Sequence, residues 1–312
     1  MTKRLKRFKF SLKKSIPLWM VLAIVLNASL ITGLSEHFLM RLEIKKAIAQ
    51  LSETTQKPEV STQKIKQEVI PQEGYKTSMK WGSLAKRLVE VGAIDKQKYQ
   101  GIFTPSDGGL EMKYLDEDSQ EPISINEKNS RFLLNTFWAL GLTNKSKVLD
   151  EGPMKTGKTP LNNFASTAGW TLGAKKATEL YSSTEIIPLT QEQQDLVKKI
   201  AENVFRPCCG NSTAFPDCNH GMAALGYIEL AVAGGLSENQ IYKDLLAFNS
   251  FWFPQTYIDL ALYFDKQNIA WKNVDAKLAL SSNYSSAQGY QRIKQTIQPV
   301  PGVQSPGGGC GV

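Results

Sequence analysis

The sequence predicts a mainly α-helical protein, in which one N-terminal transmembrane helix precedes an irregular helical domain with long loops. Three observations lead to this fold class. An uncharged run extends from Ser15 to Ser35, apolar residues recur at helical spacing in several later windows, and convincing period-two strands are absent. Each segment is considered below in chain order.

Residues 1–14 form a basic segment that contains seven lysine and arginine residues and no acidic residue. The uncharged run of residues 15–35 follows directly, and as a helix it would span about 30 Å, the thickness of a bilayer core. We therefore expect an uncleaved signal anchor. Because positive charge stays on the cytoplasmic side, the rest of the chain is predicted to be extracytoplasmic at the cell membrane, with the N-terminus in the cytoplasm.

Residues 36–52 continue with helical spacing and suggest an amphipathic stalk through which the protein could form a homodimer. Residues 53–75 are polar, contain two prolines and indicate a flexible linker. The helical domain is expected over residues 76–297. Residues 298–312 are rich in proline and glycine and predict a flexible tail that carries Cys310.

Within the domain, five windows place apolar residues on one face of a helix. Capping-box spacing at Thr190 with Gln193 and at Ser237 with Gln240 marks the start of two of these helices. The longest loops are expected at residues 107–126 and 144–173. The five windows are Leu84, Leu88 and Val91; Leu133, Phe137 and Leu140; Val197, Ile200 and Val204; Leu225, Ile228 and Val232; and Ile241, Leu245 and Phe248.

The charge and one motif bear on binding to nucleic acids and nucleotides. The net charge of +8 falls to +1 without the basic N-terminal segment, so no basic surface for nucleic acid is predicted. The run from Gly152 to Thr159 matches the phosphate-loop pattern in its letters. The residues before it are too polar for a central strand and Pro160 follows it, so we predict a polar surface loop and no nucleotide site.

One short stretch, residues 205–221, holds three of the four cysteines and one of the two histidines. Thiolate and imidazole ligands suit soft or borderline cations, and four of them complete a tetrahedral zinc shell. We therefore predict a transition-metal site, most simply for zinc, with a tight turn at Pro207 and Gly210 directing adjacent cysteines to one point. The predicted ligands are Cys208, Cys209, Cys218 and His220, with Cys310 as a substitute for one of them.

Three other interpretations of this stretch remain open. Disulfides persist outside the cytoplasm, and a bridge from Cys208 or Cys209 to Cys218 would staple a non-catalytic domain. A redox site would use Cys209 as the attacking thiol and Cys218 or Cys310 as the resolving thiol. A cysteine hydrolase would pair Cys209 or Cys218 with His220 as the base.

Part of the domain resembles the CcmH-type thiol oxidoreductase of cytochrome c maturation over about fifty residues. In that family the pattern R-C-x-x-C-x-N-x-S precedes a helix, a Gly-x-Ser turn and an aromatic segment that ends in proline. The resemblance implies thiol-disulfide exchange at Cys209, although Arg206 stands where the family has its first cysteine. It is carried by Arg206, Cys209, Asn211, Thr213, Gly235, Ser237, Ile241 and the run from Phe251 to Pro254.

The whole chain also resembles a family of membrane-anchored bacterial proteins with an R-P-C-C-G-N-S-T and C-N-H-G core and a glycine-rich tail with a cysteine. That resemblance implies no activity. The sequence thus favours a membrane-anchored extracytoplasmic protein that binds a soft transition metal, with a thiol-disulfide oxidoreductase or a metal-handling protein as the alternative.

Overall fold

The structure, a computed structural model, describes residues 62–104 and 109–297, together with Arg41, Lys45 and Lys46. It is mainly helical, as the sequence predicts, with one small antiparallel sheet. From Thr62 onward the described residues belong to one compact unit.

The elements are numbered here in chain order. The strands are β1 (Tyr75–Gly82) and β2 (Ser119–Ile125), and 3-10 helices cover Gly109–Leu115, Leu161–Asn163 and Trp271–Asn273. The helices are α1 (residues 62–69), α2 (Leu84–Glu90), α3 (Lys96–Ile102), α4 (Ser130–Thr143), α5 (Lys147–Asp150), α6 (Pro153–Thr156), α7 (Ala165–Ala168), α8 (Ala177–Leu180), α9 (Gln191–Ala201), α10 (Asn219–Ala233), α11 (Glu238–Trp252), α12 (Pro254–Asp265), α13 (Ala276–Ala279), α14 (Ser282–Ser285) and α15 (Ala287–Thr296).

Helices α4 and α10 form the centre of the core. Both are buried on almost every side, as expected for helices that are apolar all round. Two glycines allow their backbones to touch. A Cβ atom on Gly141 would lie 2.1 Å from the carbonyl oxygen of Met222, and one on Gly226 would lie 2.3 Å from that of Phe137. The beginning of α10 is therefore held at a fixed place in the core.

The sheet corrects the expectation that strands are absent. Strand β1 alternates after all: Thr77 and Trp81 are buried, whereas Lys76 and Lys80 point outward. A threonine at an inward position and irregular pairing with β2 conceal this period in the sequence. The hydroxyl of Tyr75 donates to Asp244 Oδ1 on α11 at 2.6 Å, which fastens β1 to the helical core.

Two further expectations differ from the structure. Helix α1 lies inside residues 53–75, the range predicted as a linker, and its Ile65 and Val69 are buried in the core. The predicted long loops also contain short elements, since β2 lies in residues 107–126 and α5, α6 and α7 lie in residues 144–173. Segments this short show little periodicity and fold because residues such as Leu149 are buried.

The five predicted helical windows correspond to α2, α4, α9, α10 and α11. The capping box at Thr190 and Gln193 is present with both of its hydrogen bonds. Ser237 caps α11 by accepting from the backbone of Gln240, which is one half of a box.

Several predicted segments lie outside the described residues. They are the basic segment 1–14, the anchor 15–35, residues 53–61 of the linker and the tail 298–312 with Cys310; of the stalk 36–52, only three residues are described and these are helical. Among the helices that are described, none combines the length and apolarity needed to cross a bilayer.

Candidate metal centre

The loop from residue 202 to residue 218 joins α9 to α10 and folds back on itself as a short hairpin. The backbone N–H of Thr213 donates to the carbonyl oxygen of Val204 at 2.8 Å. At the tip, the N–H of Cys209 reaches the carbonyl oxygen of Arg206 at 3.4 Å, which closes a turn with Pro207 at its second position. Proline fixes the backbone angle needed there. The turn predicted at this point is confirmed, and it places Cys208 and Cys209 at the tip.

Arg206 is the centre of this loop, and its side chain is only 1% exposed. Its Nε donates to the sulfur of Cys218 at 3.0 Å, and one terminal nitrogen donates to the carbonyl oxygen of Asn211 at 3.0 Å. The other terminal nitrogen donates to the carbonyl oxygen of Phe215 at 3.1 Å and to Asp217 Oδ1 at 2.6 Å. One guanidinium thus connects Asn211, Phe215 and Asp217 of the loop to Cys218, the N-cap residue of α10.

The charge of Arg206 is balanced by Asp217, whose second oxygen accepts from the side-chain amide of Asn211 at 2.8 Å. The guanidinium lies on Gly221 in the first turn of α10. A Cβ atom at that position would stand 2.5 Å from Arg206 Cζ, so only glycine leaves room for the arginine. The loop therefore packs against α10 because the Arg206 guanidinium, paired with Asp217, occupies the space left by the absence of a side chain at Gly221.

Three cysteine sulfurs meet beside this arginine. The Sγ atoms of Cys208, Cys209 and Cys218 all lie within 4.8 Å of one another, and those of Cys208 and Cys218 are 3.5 Å apart. Three thiolates around a tetrahedral zinc ion, with bonds of 2.3 Å, would be about 3.8 Å apart. The three cysteines carry no disulfide, although a bridge to Cys218 was one interpretation of the sequence.

Cys218 differs from the other two cysteines in its surroundings. It is 5% exposed, it is the N-cap of α10, and its sulfur accepts from the backbone N–H of Gly221 at 3.5 Å as well as from Arg206. Hydrogen bonds from the Cys208 and Cys209 thiols, with the charge of Arg206, hold the pKa of Cys218 well below its usual range.

The pKa of Cys208 is raised, chiefly by its hydrogen bonds with the other two cysteines and then by burial. The pKa of Cys209 is also raised, because its contact with Cys218 and its burial outweigh the opposing effects of Cys208 and Arg206. The three thiols therefore differ in acidity, and Cys218 is the most acidic of them. A bound cation would favour the deprotonated form of all three, because it offsets the repulsion between neighbouring thiolates.

The other predicted ligands lie elsewhere or outside the described residues. His220 is in the first turn of α10, but its ring nitrogens do not join the sulfur group, and its ring packs 4.3 Å from that of Phe253. Burial lowers the pKa of His220 to about 4, so the ring is neutral at pH 7. Cys310 belongs to the tail that is not described.

The sequence analysis names Arg206 only for a family resemblance and gives Arg206, Asp217 and Gly221 no role in organising the sulfurs. The only available signal was an arginine and an aspartate flanking the cysteines of one short loop. More distant elements also fix the loop: the N–H of Ala287 at the start of α15 donates to the carbonyl oxygen of Cys209 at 2.9 Å, and the N–H of Phe205 donates to that of Leu280 at 2.8 Å.

The run from Gly152 to Thr159, which matches the phosphate-loop pattern, is flanked by other elements than those of a phosphate loop. Helix α5 precedes it where a phosphate loop requires a strand, and the four-residue helix α6 begins inside the motif at Pro153. Lys158 and Thr159 are exposed. The predicted surface loop is therefore confirmed only in part, because Met154 inside the motif is buried and lies on α6.

Comparisons of the chain with protein-family models, with curated proteins and with solved structures find no match in any of the three. The two resemblances named from the sequence therefore stay predictions. The geometry of the three-cysteine site is the observation that bears on function.

Proposed function

We propose that Cys208, Cys209 and Cys218 together bind one soft transition-metal ion. The observation that carries this proposal is the convergence of three sulfur atoms within 4.8 Å of one another. Thiolates are the ligands that zinc, monovalent copper and related ions prefer in proteins. A tight turn and a helix cap are needed to bring these sulfurs together, and the loop supplies both.

The surroundings of the sulfurs support a metal site. N–H groups that donate to a ligand atom orient it and stabilise its charge, and the sulfur of Cys218 accepts two of them, from Arg206 and Gly221. The buried pair of Arg206 and Asp217 holds this arrangement without help from the metal. The site is thus preorganised around the buried sulfur of Cys218, beside which the other two sulfurs lie.

Zinc is the simplest ion on the sequence evidence, and it needs a fourth ligand beyond the three sulfurs. The candidates from the sequence are His220, after a rotation that frees its ring from Phe253, and Cys310. Separate His220→Gln and Cys310→Ser variants distinguish these candidates from a water molecule.

The test is a titration of the reduced full-length protein with cadmium, a spectroscopic substitute for zinc, in the absence of oxygen. We expect one equivalent to bind and to produce the thiolate-to-metal absorption of three sulfurs. Each of Cys208→Ser, Cys209→Ser and Cys218→Ser should weaken binding at least tenfold. Serine at 218 keeps an N-cap oxygen, so that variant remains folded.

Cys310→Ser is the comparison variant, because the three described sulfurs converge without Cys310, which is not among the described residues. An absorption that corresponds to fewer than three sulfurs, or equal affinity in all four variants, would contradict the proposal.

A second candidate function, thiol-disulfide exchange, is favoured by the 3.5 Å contact between the sulfurs of Cys208 and Cys218. Two thiols there can give up two protons and two electrons to an external disulfide, which is reduced to two thiols. Peptide mapping after exposure to glutathione disulfide should then find a bridge between Cys208 and Cys218. A bridge between Cys209 and Cys218 would instead support the redox pair expected from the sequence, and the absence of any bridge would count against this candidate.

We also propose that the protein is anchored in the cell membrane by residues 15–35, with the domain outside the cytoplasm. The basic segment and the uncharged run that follows it support this orientation. Protease added to cells whose outer barrier has been opened should remove the domain, and a protected domain would reverse the orientation. A homodimer through the stalk is tested by cross-linking with and without residues 36–52.

A further inference from the structure

The three sulfurs are unequally accessible. Cys218 is buried and held by two N–H donors, whereas Cys208 and Cys209 are half-buried and lie at the tip of a turn. An ion bound by all three would therefore have one fixed ligand on the protein side and two ligands that solutes can reach. Structural zinc sites are instead closed by four ligands.

The number of ligands also restricts which metal ion suits the site. Within the described part of the chain, no histidine, aspartate or glutamate atom joins the three sulfurs at bonding range. Zinc in a structural site takes four ligands, so three sulfurs leave its shell incomplete. Monovalent copper is a softer ion that accepts three thiolates in one plane, and soft sulfur ligands favour it.

The charges near the site are compatible with a monovalent ion. Three thiolates and one monovalent copper ion carry two negative charges, and the N–H of Arg206 lies 3.0 Å from the buried sulfur. Asp217 accepts from a different nitrogen of that guanidinium, so the N–H that faces the sulfur stays available. The remaining charge is on the two half-exposed sulfurs, where water solvates it.

Resting on the metal-binding function above, we propose that the site holds monovalent copper on three sulfurs and exchanges it with external thiols at Cys208 and Cys209. The incoming thiolate forms a bond to copper, and the bond from copper to Cys208 or Cys209 breaks. The released cysteine thiolate takes up the proton that the incoming thiol lost. Copper stays monovalent throughout, so no oxidant or reductant is needed.

The first measurement is X-ray absorption on the full-length protein loaded with one equivalent of monovalent copper without oxygen. We expect three sulfur neighbours and no nitrogen neighbour, both in the natural protein and in His220→Gln. A histidine nitrogen in the copper shell would overturn the three-sulfur assignment.

The second measurement is transfer of copper from the loaded protein to a coloured chelator of monovalent copper, with glutathione as the external thiol. The transfer rate should rise in proportion to the glutathione concentration, at least tenfold over a hundredfold range. A rate that does not depend on glutathione would show a closed site and overturn the exchange step. Cys310→Ser should transfer at the natural rate, and a change of more than threefold would place the fourth cysteine in the site.

These outcomes separate the two proposals. A protein that binds cadmium through three sulfurs but gives a copper shell with nitrogen, or a closed copper site, keeps the proposed function and loses this inference. A protein that binds neither cadmium nor copper at the three cysteines loses both.

Discussion

An ionisable side chain is buried at each end of helix α10, and the two side chains differ in their hydrogen-bond partners and in their charge. At its start, Arg206 donates four hydrogen bonds, pairs with Asp217 and stays charged. Near its end, Glu229 is fully buried and accepts from the Asn144 amide at 3.1 Å, and burial raises its pKa to about 8. The first end is built around a charge, and the second holds a neutral acid.

This difference is what we expect if the start of α10 is the functional end. The Cys208 and Cys209 thiols, together with the buried charge of Arg206, lower the pKa of the Cys218 thiol. Glu229 is fully buried, so its carboxylic acid is closed to a ligand from solvent. The predictions below test this contrast, beginning with the largest expected effect.

Replacing Arg206 should have the largest effect on stability. Arg206→Ala leaves the carbonyl groups of Asn211 and Phe215 without their donor and removes the guanidinium from the partly exposed Asp217, which should cost about 3 kcal/mol. Chemical denaturation measures the loss. Arg206→Lys keeps the charge without the forked shape and should recover only part of it; full recovery would show that charge alone matters.

Glu229 should make stability depend on pH. Between pH 5 and pH 8 the folded protein keeps the proton on Glu229 and the unfolded chain loses it, because the folded pKa of about 8 is raised above the ordinary value. The contribution of Glu229 to the unfolding free energy should therefore fall by about 3 kcal/mol across this range, whereas His220, with its lowered pKa, adds stability as the pH rises from 5 toward 7. Denaturation curves at several pH values measure both slopes, and the difference between the natural protein and Glu229→Gln isolates the contribution of Glu229. An unchanged slope in that variant would show that Glu229 is not a buried neutral acid in the folded protein.

Gly221 should tolerate no side chain, unlike a second glycine of the same loop. Gly221→Ala places a methyl group 2.5 Å from Arg206 Cζ and should cost about 1–3 kcal/mol. Gly210→Ala meets only the end of the Gln288 side chain, at 3.0 Å, and should cost less than about 0.5 kcal/mol. Thermal unfolding of both variants checks this, and equal losses would argue against a tight fit between Arg206 and α10.

Cys310 should have the smallest effect. The described cysteines form the sulfur group without it, so Cys310→Ser should leave metal affinity within about twofold. Competition with a chelator measures the affinity. A tenfold loss of metal affinity would make Cys310 a ligand and support the prediction that it takes the place of one of the other predicted ligands.

Five of the helices and the cysteine loop could be predicted from the sequence because their signals are local, whereas α12 and α15 were not predicted. Helical spacing revealed α4 and α10, and Pro207 and Gly210 indicated the turn that directs adjacent cysteines together. Strand β1 was missed because Thr77 occupies an inward position, and α1 because its apolar residues are few. The role of Arg206 depends on contacts that the fold brings together around α10, and no spacing along the chain encodes them.

The central claim, that three cysteines act as one metal site, is tested most directly by alkylation of each cysteine with and without metal. The reduced full-length protein is treated with iodoacetamide before and after one equivalent of cadmium, and mass spectrometry follows each cysteine separately. We expect Cys208, Cys209 and Cys218 to become protected together while Cys310 stays reactive. Protection of only one of the three, or no change when cadmium is added, would contradict the claim.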